Sequence, residues 1–254
     1  MFGPFREAVE ILRSGRLGKI HRVSVGAGGP SRPCDLPGEE IEPGLDWDMW
    51  LGQASMRPYH SVLSPRGVHN HFPDWRSYRE YSGGGHTDMG AHYYDIVQWA
   101  LDMDESGPVE IIPPDDPAAV SGVKYRYADG VEMVHGGPDG CEFHGENGRL
   151  HITRGRLTSD PAGIVEEPLG EGDVRLFRSP GHHRNWLDCI RDRERPVADV
   201  EVGARTVTIV HLGNLAYWHK RAFRWDPKNW TFADASDNAL QDSERRSPWA
   251  LPEV

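Results

Sequence analysis

Between residues 109 and 153 five short strand-like runs follow one another with only turn residues between them, and few folds can accommodate that order. The runs cover residues 109–112, 122–127, 131–135, 141–144 and 149–153, punctuated by Asp129-Gly130, Gly136-Gly137 and Asn147-Gly148. Such pairs supply the positive backbone angles of tight hairpin turns. Strands that succeed one another without helices between them pair mainly antiparallel, as a meander or mixed sheet. Helical periodicity lies outside this block. Phe5, Ala8, Val9, Ile11 and Leu12 recur at helical spacing before Gly15, which sits where a C-cap glycine belongs. Residues 20–25 read as a further strand, and Asp46 as the cap of a short helix over 47–53. Met89, Tyr93, Ile96, Val97 and Ala100 share one face of a helix over 86–103, residues 182–193 form another stopped by Pro196, and residues 200–220 a last one. Strands and helices segregated in this way predict an α+β fold over 1–254, with a polar, Trp-bearing tail from residue 224 wrapping the surface.

Residues 26–44 hold five glycines and four prolines, so they predict a long loop. No strand followed by Gly-x-Gly-x-x-Gly occurs, and no alternating βαβ pattern, so a dinucleotide-binding half is not among these residues. Gly83-Gly84-Gly85 follows a polar stretch and suits a tight approach into a helix better than a pyrophosphate cradle. A net charge of −11 argues against nucleic-acid or anionic-membrane partners, which need clustered Lys and Arg, and points to a small-molecule substrate. Three scattered cysteines and the lack of a secretory signal or a long apolar run predict a cytoplasmic location.

The segment from Ser82 to Asp95 is the richest in chemistry. On a helix Asp88 and His92 are one turn apart and Asp95 lies three residues beyond His92, so Asp95 is expected to orient that imidazole. The row suits acid–base work or metal ligation, and equally a capped helix start with a core histidine. Thirteen histidines in 254 residues add a second lead. His69 and His71 share a side if extended, and His182 and His183 open a helix. They are either hydrogen-bonded loop histidines and substrate contacts, or, with Asp88 and His92, ligands of an open Zn²⁺ or Mn²⁺ site. Among the aromatics Trp75 is the candidate for stacking on a substrate. Arg76, Arg79 and Arg184 are candidate anion contacts.

The blocks GRLGKIHRVSV, LDWDMWLGQA, RPYH, SGGGHTDMGAHYYDIVQWAL, GHHRNWLDCIRDRERPVADVEVG and FRWDPKNWTF, in that order, resemble the C-terminal domain of Gfo/Idh/MocA oxidoreductases. The family's paired glycines followed by Asp-x-Gly-x-His-x-x-Asp match Asp88, Gly90, His92 and Asp95. The resemblance implies an open-faced, predominantly antiparallel sheet with helices on one side, copies paired sheet to sheet as a dimer or larger, and an Asp and a His facing the sugar. It also marks a departure: the Rossmann domain and the Glu-Lys-Pro segment of such enzymes have no counterpart here. NAD(P) binding is therefore not expected. The function predicted on this basis is a nicotinamide-independent hydrolase, with or without a divalent metal, with Asp88, His92 and His182 catalytic and Trp75, His183 and Arg184 holding substrate. The alternative is a truncated sugar oxidoreductase or carbohydrate-binding module that needs a separate Rossmann partner.

Overall fold

The strand-like runs do form one sheet, through a fold-back that turn residues alone do not reveal. The computed structural model describes residues 4–67 and 72–252. Eight strands, β1 (Ile20–Gly26), β2 (Glu110–Ile112), β3 (Lys124–Arg126), β4 (Glu132–Gly145), β5 (Gly148–Ile152), β6 (Leu157–Asp160), β7 (Phe223–Asp226) and β8 (Thr231–Phe232), lie in the order β6-β5-β4-β3-β2-β7-β8, with β1 on β4. β4 flanks β1 with both of its arms. Val23 faces Met133 and Val25 faces His135 along one arm, running in the same chain direction; Val23 also faces Phe143 and Val25 faces Cys141 along the other, running oppositely. The reversal between the arms uses Gly136, Gly137 and Gly140, whose φ angles of 128°, 102° and 96° suit glycine. Two predicted strands are therefore one folded strand, and the sheet is mostly antiparallel.

Alternation along the strands sends Val23, Val25, Tyr125, Met133, Phe143, Leu150 and Ile152 to one face, where all are fully buried. Helices cover that face. α1 (Phe5–Arg13) and α7 (Val200–His219) pack on either side of α4 (Gly90–Ala100), which also touches β1. Each fully buried large apolar side chain contributes roughly 1.5–3 kcal/mol, so this shared core holds the layers together. Local signals set the boundaries: Asp46 accepts from Met49 N (2.9 Å) to start α2 (Trp47–Leu51), and Asp199 accepts from Glu201 N (2.9 Å) to start α7.

One predicted helix divides into α3 (Gly85–Asp88) and α4, because the His92 amide bonds Met89 O (3.3 Å), three residues back, and tightens the turn between them. The Gly/Pro-rich stretch has no regular element, yet it is tied down. Ser31 N donates to Gly83 O, Arg32 N to Ser77 O, and the Arg57 guanidinium to the carbonyls of Cys34 and Leu36. It covers a second apolar cluster of Trp47, Leu51, Tyr59, Leu63 and Tyr78. From Arg224 the chain first adds β7 and β8 to the sheet edge, with Trp225 and Phe232 buried. It then crosses the surface to α2, where Arg246 bonds Asp48 and the carbonyls of Gly52 and Ala54. The short α5 (Gly163–Glu166) follows β6. α6 (His182–Asp192) buries none of its residues and leaves Trp186, Leu187 and Ile190 exposed.

Candidate functional site

Two loops meet backbone to backbone at the start of α3. Gly84 has φ 76°, and a Cβ there would lie 2.5 Å from Ser31 N; a Cβ on Gly85 would lie 2.8 Å from Gly28 Cα. The glycine run thus packs against residues 28–31 and has no room to cradle a phosphate. It drives His86 into the core. His86 Nδ1 lies 3.0 Å from Asn214 Oδ1, and the Asn214 amide nitrogen donates to Gly83 O (2.8 Å), so the amide oxygen faces the ring and Nδ1 carries the proton. Nε2 is left with one lone pair, shared between the hydroxyls of Tyr94 (2.9 Å) and Tyr125 (3.1 Å).

The His135 ring stacks on His86 at 4.3 Å. Its Nε2 donates to Ala27 O (3.2 Å), which leaves Nδ1 to accept from the Tyr217 hydroxyl (2.6 Å). Burial, reinforced by the neighbouring imidazole, lowers the His86 pKa to about 3. Burial likewise lowers that of His135, against the opposing backbone bonds at Ala27 and Gly28. Two stacked neutral imidazoles fasten the loop, α7 and the sheet together. Their one local trace in the sequence is Gly213, in mid-helix, where a Cβ would meet Tyr125 OH at 1.9 Å and His86 Cε1 at 2.6 Å.

The predicted row stands just outside this buried pair. Asp88, at the end of α3, is half-exposed and faces Arg76 Nε at 3.4 Å. Arg76 comes from the 3₁₀ turn Asp74–Ser77 and lies over the rings of Trp75 (4.6 Å) and Phe72 (4.9 Å). Trp75, Arg76 and Asp88 are thus brought together. His92 sits exposed in the first turn of α4. Asp95 does not orient it by a hydrogen bond: its carboxylate accepts from the Thr206 hydroxyl (3.0 Å) on α7, and burial raises its pKa against the pull of that bond and of His92.

His182, His183 and Arg184 are exposed on α6, the two imidazoles edge to face at 4.4 Å and Arg184 paired with Asp188 (2.9 Å). Among the described residues no hydrogen bond or ion pair joins them to Asp88 or His92. His69 and His71 lie outside the described residues. The Zn²⁺ or Mn²⁺ site expected of His69, His71, Asp88 and His92 is not supported, since among the described residues no three His, Cys, Asp or Glu side chains converge to hold an ion. Asp88 faces a guanidinium where such a site needs a second donor.

Residues 32–251 match the family model described as the oxidoreductase family, C-terminal alpha/beta domain. No curated protein matches the chain significantly in sequence. Solved structures that share its fold include the WlbA dehydrogenase from Bordetella pertussis in complex with NADH and UDP-GlcNAcA (14% identity, TM-score 0.51, covering 87% of this chain and 60% of that one). An aldose-aldose oxidoreductase from Caulobacter crescentus complexed with glycerol (12%, 0.50, 87% and 60%) and an NAD-binding protein from Listeria innocua (12%, 0.50, 86% and 60%) share it too. The chain therefore spans about 60% of the length of these structures. The hydrolase prediction is overturned by the family match, which is to oxidoreductases. With it goes the expectation of a nicotinamide-independent reaction, since the family matched is one of oxidoreductases. An open, mostly antiparallel sheet backed by helices, the glycine-led Asp88–His92 segment and a family match over most of the chain agree: this chain belongs to the Gfo/Idh/MocA oxidoreductase family, as its C-terminal alpha/beta domain.

Proposed function

We propose that this domain supplies the substrate-facing side of a nicotinamide-dependent oxidoreductase acting on sugars or polyols, and that a nucleotide-binding unit not among these 254 residues completes it. The family match over residues 32–251 carries the reading. The site chemistry supports it. These residues do not fit the nucleotide's pyrophosphate, because the Gly83–Gly85 run is packed against residues 28–31, so the cofactor is held elsewhere and only its reacting end meets this domain. Oxidation of a carbinol needs a group to take the hydroxyl proton, and in this reading the exposed imidazole of His92 takes it. Asp88 and Arg76 offer a carboxylate and a guanidinium side by side, which suits two adjacent hydroxyls, and Trp75 offers a ring for the C–H face of a sugar. In this reading the domain works in the cytoplasm as a dimer or larger, on an uncharged small molecule.

The test is reconstitution with a nucleotide-binding unit, following nicotinamide reduction with aldoses and polyols as substrates. His92→Ala should lower kcat by about 100-fold or more, the usual scale for losing a general base, while leaving the melting temperature in place because the side chain is exposed. Full turnover in that variant would remove His92 from the mechanism.

A further inference from the structure

Trp75 belongs to two places. Its ring carries the Arg76 guanidinium that pairs with Asp88, and it also lines a cleft of about 570 Å³ shared by α2 and Ser243–Glu244. That volume falls within the roughly 300–1,000 Å³ of small-molecule sites. The floor of the cleft is aromatic. Trp50, stacked on Trp47 (4.5 Å, 19°) and in T-shaped contact with Tyr81 (5.4 Å), lines the cleft together with Tyr81 and Trp75. The rim is polar. Glu80 is fixed by the Cys34 amide at 3.0 and 3.2 Å, Arg79 stands 3.9 Å from it, and Glu244 closes the far side. The wall bearing Glu244 is secured by Arg246, whose backbone amide donates to Gln53 O (3.2 Å) and whose guanidinium donates to Gly52 O (2.8 Å).

We propose that this cleft is a second saccharide subsite, adjoining the Asp88–His92 face through Trp75 and taking an uncharged pyranose ring. Indole surfaces suit the C–H face of a sugar, and carboxylates beside a guanidinium suit its hydroxyls as donors and acceptors. Charge decides against the other ligands that stack on indoles. Two carboxylates and one guanidinium disfavour uronates, sugar phosphates and nucleotides, all of which bring negative charge. A substrate of two linked rings would place one ring in the cleft and the next at the Asp88–Arg76 pair. The inference rests on the sugar chemistry proposed for that pair.

Saturation-transfer NMR on the 254-residue protein, with methyl β-glucopyranoside, cellobiose and maltose as probes and glucuronate as the anionic control, tests it. Ser55 lines the cleft and is exposed, so Ser55→Trp fills the space without removing core packing. At least one neutral probe should bind, glucuronate should not, and Ser55→Trp should weaken binding by about 10-fold or more, the loss of one good contact. His92→Ala should leave this binding unchanged. Absence of binding by all three neutral probes, or equal binding in Ser55→Trp, overturns the subsite. Binding lost in His92→Ala but kept in Ser55→Trp would place the sugar at the helix row, sinking the subsite while leaving the proposed function standing.

Discussion

His86 and His135 show how a residue's neighbours decide what its chemistry is. Both imidazoles are neutral in the fold, whereas in the unfolded chain they titrate near pH 6.5. Below about pH 6.5 the unfolded state therefore binds more protons than the native one. Stability is complete above that value and declines as pH falls toward the His86 pKa of about 3. His86 alone should remove about 2 kcal/mol between about pH 7 and about pH 5, and His135 should add to it. Urea midpoints measured across that range check the sign; a flat profile would mean that the two imidazoles take up protons over the same pH range in the native protein as in the unfolded chain. Apart from the mid-helix Gly213, nothing in the sequence marked these two residues, because they meet only when the start of α3 and β4 are folded together. Helical spacing set Asp88 and His92 one turn apart on a single helix, which the structure divides between them into α3 and α4. Their surroundings, Arg76 and the open solvent, were not legible, since Arg76 arrives from a separate turn.

At the scale of elements, local rules carried the reading wherever an element is set by its own ends. α1 stops before the signalled Gly15 at φ 77°, α2 starts at the signalled Asp46, and α7 fills the range predicted from its apolar spacing, closed by Lys220 at φ 55°. The rules failed for β4, whose two arms are joined by pairing to β1, a strand more than a hundred residues earlier in the chain. The edge strands β6 to β8 were missed because short strands carry too little pattern. Two glycines of α7 separate propensity from packing. Alanine is preferred over glycine inside a helix by about 1 kcal/mol. At Gly203, where a Cβ meets nothing within 4 Å, substitution by Ala should stabilise by up to about that amount. At Gly213 the same change drives a methyl into Tyr125 and His86, and should cost about 1–3 kcal/mol net despite the gain in propensity. Denaturation of the two variants side by side reads the difference, and equal effects would show that the His86 pocket is not closed as described.

At the scale of the molecule, the sheet has one face committed and one free. Alternation sends Arg22, Lys124, Arg126, Glu132, Glu142 and Arg149 away from the helices, and the free face carries polar contacts such as Glu142 with His144 (2.9 Å) and the ion pair of Arg149 with Asp160 (3.4 Å). Pairing of two copies through this face, the association expected from the family resemblance, would be polar and therefore screened by salt. Raising the ionic strength from about 0.01 M to about 1 M shortens the screening length from roughly 30 Å to roughly 3 Å. Light scattering should accordingly find a dimer or larger assembly at the low value and progressive dissociation toward the high one. The apolar surface of α6 provides the contrast, because Trp186, Leu187 and Ile190 are exposed and their burial would not weaken in salt. Leu187→Asp should leave the low-salt assembly intact and, making no core contact, should leave the melting temperature in place. An assembly that survives high salt and falls apart in Leu187→Asp would move the interface from the sheet to α6; a monomer at every salt concentration would rule out both.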